Sequence, residues 1–342
     1  MKIHLVENQG CKDFAACLST LLSQFAPWRI VVNALERASE PDGLISRPLV
    51  ERSVAHKGPN TPAPAQSASI TKAPVVVIEG SGWSGQELRE LWAHRDLFYF
   101  LAWRDVKVRY QQTVLGAAWA ILQPLITMVV FTILFGRLAR VPSEGEPYAI
   151  FSYAGLLAWN FFSTAVTNSS NCLIGSTNLI TKVYFPRVIV PAAAVGASLV
   201  DLAIASLMLF AIMPFYGVGF HPSLIMLIPL FALTALAAAA FGIWTSALNV
   251  KYRDIRYALP FAIQIMMFLT PVIYPVTLLP ERWRWVLRLN PLSGIVEGFR
   301  DAIFGRAFHW TGLGASAAVS LLLLIASVWI FRRMEGEFAD VI

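Results

Sequence analysis

Charged residues are absent from six long stretches of this chain, and apolar residues fill them. No Asp, Glu, Lys or Arg occurs in residues 110–136, 147–181, 188–200, 202–250, 257–280 and 310–331. A helix needs about 20 apolar residues to cross the hydrocarbon core of a bilayer. Several stretches reach that length, and the longest has room for more than one crossing. The pattern predicts an all-α integral membrane protein.

Divided by length, these stretches predict about six transmembrane helices. The predicted crossings lie at about residues 115–136, 148–168, 188–216, 223–248, 257–274 and 313–331. Pro124 falls inside the first crossing, where neighbouring helices can satisfy the backbone groups that a proline frees.

The segment before the first crossing, residues 87–110, mixes apolar and charged positions at helical spacing. Its apolar residues recur at steps of three, four or seven, with charged residues mostly between them. This pattern predicts an amphipathic helix, or two short ones, at the membrane surface. A helix packed on a soluble core is the alternative, but direct continuation into an uncharged stretch favours the membrane.

The composition agrees with a membrane protein and excludes an ordinary soluble domain. Hydrophobic residues make up 56% of the 342 residues and charged residues only 14%, whereas soluble domains carry about 25% charged residues. The net charge of +6 comes from basic residues beside the apolar stretches, where they anchor helices rather than bind nucleic acid.

Residues 1–86 differ from the rest of the chain, and residues 39–74 are rich in Pro, Ala and Ser. The stretch 39–74 is interpreted as a disordered linker, and residues 1–86 as a whole as a disordered or non-family N-terminal extension.

Lysine and arginine in the short connections predict the orientation. With both termini in the cytoplasm, the inner connections carry twelve of these residues and the outer ones seven. This excess follows the positive-inside rule. The fifth connection opposes it with five arginines, and a re-entrant outer segment between helices 5 and 6, with internally paired charges, would account for them. Glu297 lies three residues before Arg300 and four before Asp301, so a Glu297–Arg300 pair that lowers the cost of charge near a membrane face is expected there. A solvated outer loop is the alternative.

Motifs for catalysis are missing from the sequence. It contains no G-x-x-x-x-G-K-[ST] phosphate loop, no H-E-x-x-H, no G-x-S-x-G and no Cys/His cluster. We therefore predict no catalytic residue, cofactor or metal in this chain, and uphill transport would need a partner or an ion gradient.

Asp201 is the one ionisable residue deep in a predicted crossing. An Asp at the bilayer centre costs about 2.5–3.5 kcal/mol on insertion scales, so it should face the bundle interior or a wet cavity. It could line a channel or gate, or form a structural hydrogen bond to a neighbouring helix. Aromatic residues near the crossing ends, including Trp159, Phe162 and Tyr274, fit interface belts, with stacking against sugar rings along a path as the alternative.

A short polar and basic bridge, residues 178–187, joins the second and third crossings. It faces the cytoplasm in the predicted orientation and is long enough to contact a soluble partner. Pro186 restricts its backbone, and Tyr184 and Phe185 can anchor it at the interface.

Several segments, in this order and spacing, resemble the membrane-spanning permease of type-2 ABC exporters. They are WRDVKVRY (103–110), TVLG (113–116), WAILQP (119–124), WNFF (159–162), NLITKVYFPR (178–187), KYRDI (251–255), NPL (290–292) and EFADVI (337–342). The resemblance covers about residues 87–342. More narrowly, the chain resembles the polysaccharide branch of this family, which exports lipid-linked O-antigen, capsule or teichoic acid chains.

The resemblance implies a transporter in which the channel and the ATP-binding sites belong to different subunits. Two permease copies would form the channel, and a separate ATPase subunit under each would hold ATP and Mg. The interface helix would include Trp103, Arg104, Asp105, Lys107, Arg109 and Tyr110. The ATPase-coupling bridge would include Asn178, Thr181, Lys182, Tyr184, Phe185, Pro186 and Arg187. The outer gate would lie in residues 276–310, with Glu297, Arg300 and Asp301.

The resulting prediction is a multi-pass permease of the bacterial inner membrane that exports a lipid-linked polysaccharide. A type-2 ABC permease for a drug or lipid is the alternative within transport. A membrane-embedded glycosyltransferase or polymerase is the alternative from another class, but it should show acidic metal-binding clusters. An ion-coupled carrier is disfavoured by the sparse charge inside the crossings.

Overall fold

The computed structural model describes residues 94–111, 118–176, 185–278, 280–336 and 338, which form helices and turns with no strand among them. Their α-helices are α1 (Arg95–Gln111), α2 (Ala118–Phe131), α3 (Tyr148–Gly175), α4 (Ile189–Ile212), α5 (Leu227–Lys251), α6 (Ile255–Leu269), α7 (Glu281–Leu289), α8 (Pro291–Phe304) and α9 (Trp310–Glu335). The extension 1–86, residues 87–93 of the predicted interface helix, and bridge residues Asn178, Thr181, Lys182 and Tyr184 lie outside the described residues.

Five helical stretches in the described part of the chain are long and apolar enough to cross a membrane. They are Ala118–Leu138, Tyr148–Gly175, Ile189–Tyr216, Pro222–Lys251 and Trp310–Glu335. Short π- or 3₁₀-helical turns extend α2, α4 and α5 to these lengths. The prediction of an all-α integral membrane protein is confirmed.

The fifth predicted crossing, 257–274, is shorter than the sequence suggested. Its helix α6 has 15 residues, or about 22 Å of helix, against about 30 Å of hydrocarbon core. The chain leaves the helix after Leu269 because Thr270 precedes Pro271, and a residue before a proline disfavours the helical conformation and is extended here. The carbonyl groups of Val272 and Tyr274 in the following turn then accept hydrogen bonds from the side chain of Arg300. Six full crossings and a re-entrant outer segment remain predictions.

The core forms around α3. In its most apolar stretch 83% of the residues are buried, against 11% for α2. Helices α4, α5 and α8 pack against α3, and the largest buried side chains include Phe151, Tyr153 and Phe162. Helix α2 therefore presents most of its apolar surface outwards, to lipid or to another subunit.

The connections 139–147 and 270–309 meet at one end of the bundle, which we call the outer end after the predicted orientation. Local sequence sets the bounds of α8 there. The Asn290 side chain accepts a hydrogen bond from the Leu292 amide at 3.0 Å, Pro291 occupies the first helical position, and Gly305 ends the helix with a φ of 67°. Each residue suits its position in a helix cap.

Arg300 fastens this outer end to the core. Its side chain is only 4% exposed and donates to the carbonyl oxygens of Val272 at 2.7 Å and of Phe151 and Tyr274 at 3.4 Å. The guanidinium also lies 3.6 Å from the ring centroid of Phe151. The turn at Val272 fits against α3 only because Gly155 has no side chain, since a Cβ there would lie 2.8 Å from the Val272 carbonyl oxygen.

The expected Glu297–Arg300 pair is wrong, because the described residues show no ion pair between the two. The Arg300 side chain faces α3 and the turn at 270–275, where three backbone carbonyl groups use its donors. A carbonyl group without a donor costs about 1–3 kcal/mol when buried. Satisfying three of them through one guanidinium accounts for this orientation.

Replacing Arg300 by Met should lower the stability of the purified protein by about 2–4 kcal/mol, because it leaves buried carbonyl groups without donors. Lys should restore only part of the loss, since a point charge cannot match the planar fork. Thermal unfolding in detergent measures both. The matched control is Arg137→Met, at an exposed arginine of the same end. Equal melting temperatures for the Arg300 and Arg137 variants would show that Arg300 does not hold the outer end.

Candidate functional site

Asp201 lies at the middle of α4, and its carboxylate is held by the last turn of α1. One oxygen pairs with the Arg109 guanidinium and the other accepts the hydroxyl hydrogen of Tyr110. The Arg109 and Asp201 side chains are 28% and 22% exposed, so water screens this pair only in part. The sequence left open whether Asp201 forms a structural hydrogen bond to a neighbouring helix. In the structure it forms such bonds with Arg109 and Tyr110 of α1.

The Tyr110 hydroxyl stays protonated in this arrangement. Burial and the adjacent carboxylate of Asp201 raise the pKa of Tyr110 above its ordinary value, so at neutral pH the phenol donates and the carboxylate accepts. Asp201 therefore has one cationic and one neutral donor, which offset the cost of placing its charge in a crossing.

The same three residues form one wall of a cavity of about 320 Å³. It lies between α1 and the helices α2, α3 and α4, and polar side chains of three crossings line it: Gln123, Asn160, Thr164, Asn168 and Ser198. Trp119 and Phe161 add aromatic surface. Polar groups inside crossings usually mark functional sites, so we take this inner cavity as the candidate functional site. Asp201 is thus a cavity-lining group as well as a structural one.

The predicted interface helix contributes two of its six candidate residues to this cavity, Arg109 and Tyr110. Trp103 and Lys107 are exposed, and Arg104 pairs with the adjacent Asp105 at 2.8 Å. Helix α1 does not bury one apolar face and expose one charged face, because Arg109 turns inwards to Asp201 while Tyr99, Phe100 and Trp103 remain exposed.

Trp159 and Phe162 lie in the packed core of the chain, where they are 4% and 1% exposed. Their rings contact each other at 5.8 Å between centroids, and Phe162 contacts Phe241 edge-on at 5.4 Å. Neither ring offers a free face to a passing sugar. Tyr274 lies at the outer end, where its hydroxyl donates to the Phe268 carbonyl oxygen at 3.1 Å.

Phe185 and Arg187, at the described end of the predicted coupling bridge, are anchored to the last helix. Phe185 is 5% exposed and belongs to a hydrophobic cluster with Phe331 and Phe338. The Arg187 guanidinium donates to the Glu335 carbonyl oxygen at 3.0 Å and lies 3.8 Å from its carboxylate. Phe185 and Arg187 therefore stabilise the inner end of the bundle, in addition to any contact with a partner.

Glu297 and Asp301, which the resemblance places in an outer gate, line a second cavity of about 480 Å³. Asp301 lies 3.3 Å from the His309 ring nitrogen. Arg306 pairs with Glu144 and thereby joins the connection after α2 to the connection after α8. Sequence reasoning missed Glu144, Arg306, His309 and Glu335, because residues in remote connections carry no spacing signal that links them.

Exchanging the charges of Arg109 and Asp201 tests whether this pair acts as a unit. Each single variant, Arg109→Asp or Asp201→Arg, should lower stability because it places like charges together, and the double variant should recover part of the loss. The expected coupling is about 1–2 kcal/mol in a double-mutant cycle, measured by thermal unfolding in detergent. Additive effects of the two substitutions would contradict the pairing.

The comparisons with known proteins agree with this architecture. The profile of the ABC-2 type transporter family matches residues 96–304. An O-antigen export system permease protein RfbA of Myxococcus xanthus is 32% identical over 258 residues, covering 74% of this chain and 98% of that protein.

Two further relatives also match more than two thirds of this chain and nearly all of their own length. An RfbA of Klebsiella pneumoniae is 27% identical over 250 residues, which cover 72% of this chain and 95% of its own length. The polysialic acid transport protein KpsM of Escherichia coli is 21% identical over 235 residues, which cover 68% of this chain and 91% of its own length. This chain belongs to the ABC-2 type transporter family and matches its polysaccharide export branch.

Proposed function

We propose that this chain is the permease subunit of an ATP-driven exporter that moves a lipid-linked polysaccharide, such as an O-antigen or capsule chain, across the bacterial inner membrane. The observation that carries the proposal is the 32% identity to an O-antigen export permease over 98% of that protein's length. The similarity therefore extends over nearly the whole transport unit of that relative, including the connections as well as the apolar helices.

The inner cavity supports a role in moving a polar cargo. A long glycan cannot cross hydrocarbon without polar surroundings. The cavity offers amide and hydroxyl groups from Gln123, Asn160 and Thr164 beside the pair of Arg109 and Asp201. Such groups can replace hydration for sugar hydroxyls or for the polar linkage to the lipid.

ATP and Mg would be held by a separate ATPase subunit, and two permeases with two ATPases would form the transporter. Residues 178–187 would receive the movement of the ATPase. The contacts of Phe185 and Arg187 support this, because they join the end of that bridge to α4 and to α9. A displacement of the bridge would therefore reach two crossings. Both termini would lie in the cytoplasm.

A permease for another cargo is a second candidate. The inner membrane transport permease YadH of Escherichia coli K12, whose name specifies no cargo, is 26% identical over 192 residues. That match covers 53% of this chain and 74% of that protein, less than the matches to the polysaccharide permeases. The difference favours the polysaccharide.

Deleting the gene for this chain in its own bacterium should stop surface display of one polysaccharide and leave the lipid-linked chains inside the cell. Immunoblotting of surface and total polysaccharide measures the two pools. Deleting the partner ATPase should give the same result, because neither subunit moves cargo alone. Normal surface polysaccharide of every kind in the deletion strain would contradict the proposal and favour a different cargo.

Lys182→Glu should reduce export at least tenfold while the protein still inserts at normal levels. The reason is that Lys182 is the bridge cation before the anchored residues Phe185 and Arg187, and charge reversal should weaken contact with the ATPase. Surface polysaccharide and co-purification of the ATPase measure the effect. Arg137→Glu, at the opposite end, is the matched control. Wild-type export by the Lys182 variant would exclude this residue from coupling.

A further inference from the structure

A polar ladder runs along α3 where this helix borders the inner cavity. Asn160, Thr164 and Asn168 follow each other at steps of four residues, and all three line the cavity. This spacing places them on one side of the helix. The ladder extends for about 12 Å along the helix axis, from the middle of α3 towards its inner end. Gln123 of α2 lines the same cavity.

The side chains of the ladder have no hydrogen-bond partner among the described residues, and the same is true of Gln123. Other polar side chains of α3 bond to their own helix. The Thr167 hydroxyl donates to the Ser163 carbonyl oxygen at 2.7 Å, and the Asn171 amide donates to the Thr167 carbonyl oxygen at 2.9 Å. The ladder therefore keeps its amide and hydroxyl groups available, as donors and as acceptors.

These groups can be reached from the cavity. Thr164 and Gln123 are exposed, and Asn160 and Asn168 are half-buried. Hydrocarbon offers no partner to a polar group, so unpaired amides in the middle of a crossing need water, another chain or a ligand. The cavity volume of about 320 Å³ is within the usual range of small-molecule sites.

The free hydrogen-bonding capacity of the cavity carries no net charge. Arg109 and Asp201 are the charged side chains of its lining, and they pair with each other. A phosphate group would therefore meet no unpaired cation among the lining residues. A neutral ligand that both donates and accepts hydrogen bonds is the better match.

A neutral sugar unit has this chemistry. Each of its hydroxyl groups can donate and accept a hydrogen bond, and an Asn side chain can do both at once. Trp119, in the first turn of α2, is 52% exposed and lines the same cavity. Its ring offers aromatic surface to the C–H groups on the face of a sugar ring.

We propose that the inner cavity binds a neutral sugar unit through Asn160, Thr164 and Asn168, beside Trp119. The inference rests on the proposed function, because it assigns the sugar to the glycan that the chain exports. Successive units could exchange hydrogen bonds from one turn of the ladder to the next. Binding has to be weak enough to release the cargo, so a dissociation constant on the order of a millimolar is expected.

The test uses the full chain purified with its ATPase in lipid nanodiscs, after extraction in a detergent without a sugar headgroup. Saturation-transfer NMR measures binding of methyl glycosides of hexoses, 6-deoxyhexoses and N-acetylhexosamines. At least one should bind, and Asn160→Leu should weaken it about tenfold, since the amide hydrogen bonds are lost. Asn160→Gln keeps an amide and should retain more of the binding. An absence of binding by the whole panel, or wild-type binding by Asn160→Leu, would overturn the proposal.

Thr164→Val and Thr167→Val are a matched pair that separates a binding role from a structural one. The two residues lie about one turn apart on α3, but only Thr164 lines the cavity. Thr164→Val should weaken glycoside binding several-fold and leave the melting temperature unchanged or higher, because its hydroxyl has no partner among the described residues. Thr167→Val should bind like the wild type. Equal effects on binding, or a lower melting temperature for Thr164→Val, would overturn the proposal.

Two other occupants of the ladder give different results. If a second copy of the chain covered it, Asn160→Leu would dissociate the purified complex, which light scattering measures, and this would overturn the sugar site. Inorganic pyrophosphate is the probe for a charged linkage. Pyrophosphate binding that Asn160→Leu abolishes, without binding of any glycoside, would also overturn it.

The export assay in cells separates this inference from the function beneath it. If export requires the chain but the Asn160 and Thr164 variants bind and export normally, only the sugar site is wrong. Glycoside binding that depends on Asn160, together with normal surface polysaccharide in the deletion strain, would contradict the exported cargo and leave the sugar site in place.

Discussion

Pairing of the few buried polar and charged groups is the constraint on which this structure depends. In hydrocarbon, backbone and side-chain polar groups must find partners inside the protein. Arg300 meets this requirement at the outer end by donating to three backbone carbonyl groups. Its contacts with Val272 and Tyr274 tie the turn that follows α6 to α8. The contact with the carbonyl group of Phe151 ties the same side chain to α3.

A second paired charge, which is half-buried, ties α1 to the bundle. Asp201 draws the last turn of α1 towards the middle of α4, so the interface helix is tied to a crossing and borders the inner cavity. At the inner surface, Phe185 and Arg187 join the coupling bridge to α9. The proposed ATPase would therefore act on a segment that packs against the crossings. The inner cavity, with its polar lining, lies between the interface helix and the bundle.

The sequence predicted the helical class and most crossings, because the length of an uncharged stretch can be read from the sequence without knowing any contact between residues. It located Asp201 for the same reason, since one charge within a long apolar stretch is visible. It could not choose Arg109 as the partner, because the two residues are 92 positions apart. The Glu297–Arg300 pair failed because helical spacing ignores competing backbone carbonyl groups, and those of Val272 and Tyr274 are specified only by the folded turn.

The central claim is that this chain moves a lipid-linked glycan only together with an ATP-hydrolysing partner. The most direct measurement reconstitutes the purified chain and the ATPase in liposomes that contain a fluorescent lipid-linked oligosaccharide, and follows its transfer between leaflets. The account predicts transfer that requires ATP, Mg and both proteins. Transfer by the chain alone, or no transfer by the complete assembly while it hydrolyses ATP, would contradict it.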